Sequence, residues 1–120
     1  MAIARAVSAR PELADADSLK AIYEWHKLLD DLFVQSMGLP HEEAVELQDR
    51  INREQALLME AACRLPARSP QDFAYKLALW AADNPDVMSA QQTRGERVAL
   101  SALADFADAC GVPELAPAAA

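Results

Sequence analysis

Glycine is scarce in this chain, with three in 120 residues. Phosphate-cradling loops and dinucleotide-binding turns need clustered glycines, and the scattered Gly38, Gly95 and Gly111 form none. Cysteine is nearly as rare. Cys63 and Cys110 match no Cys-His zinc spacing, and no Ser or Cys nucleophile motif is present. Both are expected as reduced thiols buried on apolar stripes near helix ends. No apolar run approaches the length of a membrane span. The first residues, MAIARAVSARPELA, carry arginines but lack the apolar core of a signal peptide, so a cytoplasmic location is expected. Bases are outnumbered 11 to 19, for a net charge of −8. An acidic chain without a basic stripe repels phosphate backbones, which argues against direct nucleic-acid binding.

Apolar residues make up 52% of the chain and charged ones 25%, a globular balance. Alanine is abundant. The strongest helix former combined with so little glycine indicates an all-α fold. At this length one domain, residues 1–120, is expected, with enough core to fold without disulfides or metal. Breaks at GLP (38–40), LPARSP (65–70), DNPD (83–86) and CGVP (110–113) delimit four helices, about 15–37, 40–64, 70–83 and 89–109. Residues 112–120 read as a frayed tail.

The first predicted helix has a broad apolar arc: Leu19, Ile22, Trp25, His26, Leu28, Leu29, Leu32, Phe33, Ser36 and Met37. Gly38 is placed to end it in the left-handed conformation. The second carries a narrow seam of Ala44, Leu47, Ile51, Leu58, Ala62 and Leu65. Its back holds Glu46–Arg50, Asp49–Arg53 and Glu60–Arg64, acid before base at i,i+4. The short link between the two predicts a long antiparallel helical hairpin, the base of a four-helix bundle-like domain.

The third helix opens with Ser69-Pro70-Gln71-Asp72. Ser69 is its expected N-cap and Asp72 a capping-box partner. Phe73, Leu77, Trp80 and Ala81 are its expected inward stripe. In the fourth, Met88, Gly95, Ala99, Ala102, Leu103, Phe106 and Cys110 share a face, and Gly95 reads either as a kink or, the preferred reading among small alanines, as close approach of another helix. Gly111 caps its end. Trp25 and Trp80 are expected in the core.

Glu42, Glu43, Glu46 and Asp49 crowd the start of the second helix. Glu42, Glu46 and Asp49 lie at i, i+4 and i+7, so their carboxylates share a face, and hard oxygen ligands suit Mg²⁺ on a substrate phosphate. The ordinary alternative is that acids in the first turns complement the positive end of a helix. The run Glu42-Glu43-Ala44-Val45-Glu46 resembles the E-E-x-x-E element of the all-α nucleotide pyrophosphohydrolases of the MazG and dimeric dUTPase type. That resemblance implies magnesium ligation by Glu42 or Glu43 and by Glu46. The family's later E-x-x-D has no counterpart; the nearest pairing is Asp83 with Asp86, across Pro85. Residues 66–77, PARSPQDFAYKL, are similar to a turn-then-helix pattern of short helical proteins of unknown function from bacterial genomes and prophages. That similarity implies no activity.

Two further candidates remain. His26, at the edge of the first arc and four residues before Asp30, could form a histidine–carboxylate pair. His41 is expected in solvent. Gln48, Asn52, Gln55 and Met59 flank the helix-two seam and could read a partner's polar groups. The favoured reading is a non-catalytic regulatory or protein-interaction module that needs no cofactor. Its partner would be another protein or a second copy, the latter as a symmetric dimer through the hairpin. The alternatives are a Mg²⁺-dependent nucleotide hydrolase and an acidic inhibitor of a nucleic-acid-binding enzyme.

Overall fold

The structure, a computed structural model, describes residues 18–83 and 93–116. These form four α-helices, α1 (Leu19–Ser36), α2 (His41–Arg64), α3 (Pro70–Ala82) and α4 (Arg94–Ala109), followed by a 3₁₀ turn, Pro113–Leu115. No strand occurs among the described residues, and none of their helices is long and apolar enough to cross a membrane. Residues 15–17, expected in the first helix, and 84–92, including Met88 and the expected start of the fourth, lie outside the described residues. Two compact units meet at Leu65 and Pro66.

In the first unit, Ser18 starts α1 by accepting a hydrogen bond at Oγ from the Ala21 amide, 3.1 Å. The buried strip is narrower than the expected arc. It holds Leu19, Ile22, His26, Leu29, Leu32 and Ser36, whereas Leu28 and Met37 are exposed. Gly38 does not end α1 in the left-handed region, because Gly111 is the only positive-φ glycine described. The last turn tightens instead. The amides of Met37, Gly38 and Leu39 bond the carbonyls three residues back. Pro40 precedes α2 as its N-cap without a side-chain bond. Helices α1 and α2 pack together, and the α2 seam is buried at Ala44, Leu47, Ile51, Leu58 and Ala62. Full burial of Ile22, Leu29, Ile51 and Leu58 contributes about 1.5–3 kcal/mol each.

In the second unit, Ser69 caps α3 as expected, accepting from the Asp72 amide at 3.1 Å. The Asp72 carboxylate reaches past the N-cap and accepts from the Arg68 amide instead of closing a capping box. A full box forms at α4, where Thr93 and Glu96 cap each other's amides. That T-x-x-E spacing is legible in the sequence, but the expected helix start at 89 passes over it.

The buried face of α3 is rotated from the expected stripe. Ala74, Tyr75, Ala78, Leu79 and Ala81 are inside, while Phe73 and Trp80 are exposed. On α4, Leu100, Leu103 and Ala107 are buried. Gly95 is exposed in the first turn, and a methyl there would meet only Thr93 Oγ1, at 3.9 Å. No described helix approaches across it. Gly111, at φ 76°, ends α4. Its amide bonds the Asp108 carbonyl and the Val112 amide that of Ala107, the paired pattern of a glycine-terminated helix. Part of the expected frayed tail is ordered. Val112 and Leu115 are buried, and the 3₁₀ turn packs on α3 and α4. Gln71 donates to the Cys110 carbonyl at 3.1 Å, joining the start of α3 to the end of α4. The thiols differ from expectation: Cys63 is exposed and Cys110 half-buried.

Candidate functional site

Two clusters of polar side chains come together between α1 and α2. Gln55 donates from Nε2 to Asp30 Oδ1 at 2.7 Å and to the His26 carbonyl at 3.3 Å. His26 Nδ1 is 3.6 Å from Asp30 Oδ2, one turn away. Toward the α1–α2 link, Gln48 donates to Ser36 Oγ at 2.9 Å, and that hydroxyl donates onward to the Phe33 carbonyl. Local sequence explains both clusters. His26 and Asp30 are an i,i+4 pair on α1, and Gln48 and Gln55, seven apart, stand on one side of α2. The bonds run in opposite order along the chain, so position 48 meets 36 and position 55 meets 26 and 30.

This arrangement favours structure over catalysis. His26 stands within the buried strip, not at its edge, with 1% of its surface exposed. A general base must touch the proton it removes, and a covered imidazole offers a substrate no approach. The Asp30 side chain is about half exposed (48%), and Gln55 holds one of its oxygens. Two residues of the expected interaction strip, Gln48 and Gln55, therefore spend their amides inside the unit. Asn52 is exposed and Met59 half-buried.

The acids of α2 stand apart from these clusters. Glu42, Glu43, Glu46 and Asp49 are all exposed, and His41 beside them is exposed as expected. Among the described residues, no group of three or more His, Cys, Asp or Glu side chains is arranged to hold a metal ion. Glu42 and Glu43 occupy the first turn, where the helix dipole favours negative charge. On the same helix, Glu60 and Arg64 form the expected surface pair, at 3.5 Å.

Sequence reasoning missed an apolar surface in the second unit. Phe73 on α3 meets Phe106 on α4 edge to face, with ring centroids 5.8 Å apart and planes at 71°. Leu77 packs against the buried Ala81, Leu100 and Leu103. Phe73 and Trp80 are exposed beside them, 52% and 37%. The i, i+4, i+7 spacing of Phe73, Leu77 and Trp80 was the available signal, but it does not tell an inward stripe from an outward one. The chain matches no protein-family model, no curated protein and no solved structure.

Proposed function

We propose that this chain is a non-catalytic helical interaction protein. It is built on an antiparallel hairpin of α1 and α2 and binds protein through apolar side chains exposed on its helices. One contrast carries the reading. Gln48 and Gln55 of α2 are engaged with Ser36, Asp30 and the His26 carbonyl of α1, whereas large apolar side chains face solvent at Val34, Met37, Phe73, Trp80 and Val98. Exposed apolar surface marks a binding site where it is contiguous, as at Phe73, whose ring meets Phe106 edge to face. The net charge of −8 disfavours binding to phosphate backbones.

Two measurements test this. Thermal unfolding with Mg²⁺ and a panel of nucleoside triphosphates should show no stabilisation, and no pyrophosphate should be released. Affinity capture or self-association should detect binding that Phe73→Ser weakens at least about tenfold, or about 1.4 kcal/mol. Pyrophosphate release that disappears in Glu46→Gln would replace the reading with a hydrolase. Absence of any protein association, with itself or another chain, also overturns it.

A further inference from the structure

After α4 the chain turns at Gly111 and lays a short strap, Val112 to Leu115, against both α3 and α4. Two side chains hold it there. Val112 is 8% exposed and Leu115 4%, whereas Pro113 and Glu114 between them face solvent. The bond from the Leu115 amide to the Val112 carbonyl closes one 3₁₀ turn. Such a turn sets residues three apart on the same side, so both aliphatic side chains face the helices. The polar groups add no hold at the tip. The Ala116 amide bonds the Pro113 carbonyl, again within the strap, and among the described residues no hydrogen bond joins 113–116 to α3 or α4. The ties lie at the root. The Val112 amide bonds the Ala107 carbonyl, and Gln71 donates to the Cys110 carbonyl. The strap therefore has a fixed root, a glycine pivot at φ 76° and a tip held by apolar burial.

We propose that the strap is a built-in ligand, and that the groove it fills across α3 and α4 takes a partner peptide of the same chemistry when the strap swings out about Gly111. That chemistry is two aliphatic side chains three residues apart on a single turn, as in Val112-Pro113-Glu114-Leu115. This rests on the interaction reading and adds to it the kind of segment bound and the contact that holds it off. The occupant is in view, so the groove is matched to such a pair by what it already holds. Release is local. Swinging out the tip exposes two side chains and breaks no hydrogen bond to either helix, and segments held by so few contacts open without the rest of the fold. The tether sets the competition. It gives the strap an effective concentration on the order of millimolar, so a free segment competes poorly until the strap is weakened. Apparent affinity scales with the fraction of molecules in which the strap is open.

Two measurements on the full chain test this. Native-state hydrogen exchange should show the Leu115 and Ala116 amides exchanging well before the central amides of α3 and α4. A fluorescently labelled peptide of residues 111–116, GVPELA, is then titrated by anisotropy against the unaltered chain and against Leu115→Ser. The variant should bind it at least about tenfold more tightly, and the same peptide with serine in place of its leucine should bind neither. Strap amides that exchange only together with α3 and α4 overturn the proposal, which exchange on the unaltered chain decides without any variant. So does loss of helical circular dichroism in Leu115→Ser, since the strap would then be part of the fold and not a ligand of it. A peptide that binds neither protein, or both equally, overturns it too. A strap that stays closed while Phe73→Ser still weakens capture of a partner leaves the interaction reading standing. Peptide binding that appears in Leu115→Ser, in a chain whose associations ignore Phe73→Ser, supports the groove and removes the surface that reading names.

Discussion

Replacing Gln55 with alanine removes the donor to the Asp30 carboxylate and the His26 carbonyl. A lost hydrogen bond costs about 0.5–1.5 kcal/mol, and more when the acceptor is charged. Gln55→Ala should therefore lower stability by about 1–2 kcal/mol, or several degrees in Tm, measured by thermal circular dichroism. Gln55→Glu should cost more, because it sets a second carboxylate against Asp30. Ile51→Ala, at a site with no exposure, should cost about 2–5 kcal/mol, depending on how far the cavity collapses. The seam containing Ile51 is legible from helical period alone. The inward role of Gln55 is not. An amide flanking a seam turns to solvent or to a neighbour according to what the facing helix offers, and Asp30 lies 25 residues away.

At the scale of an element, the glycines and caps can be separated experimentally. Gly111→Ala places a methyl on a backbone at φ 76° and should cost about 1 kcal/mol or more. Gly95→Ala meets only ordinary contact and gains helix propensity, so it should be neutral or stabilise by up to about 0.5 kcal/mol. Thr93→Ala dismantles the capping box and should cost about 1 kcal/mol. Equilibrium urea unfolding ranks the three. Ser69 and Gly111 were legible as helix ends because their chemistry is local. The orientation of α3 was not. Spacing and size put Phe73 and Trp80 inside with Ala81, but of these the helix buries only Ala81, together with Ala74, Tyr75, Ala78 and Leu79.

Across the whole molecule, the all-α class follows from abundant alanine and scarce glycine, and the described residues agree. Division into units at Leu65 and Pro66 is harder to read, since no composition shift marks it. Residues 66–69, between α2 and α3, are exposed and non-helical. Limited trypsin digestion should cut after Arg68 before cutting within α1 or α2, as mass spectrometry of early fragments would show. The two glutamine bonds also imply an order of assembly. Gln48 reaches Ser36 across 12 residues and Gln55 reaches Asp30 across 25. Closing the larger loop from an open chain costs only about 0.6 kcal/mol more entropy than the smaller. Once the 48–36 latch is shut, most of that cost is already met. The chain can therefore close from Gly38 outward, each latch shortening the search for the next.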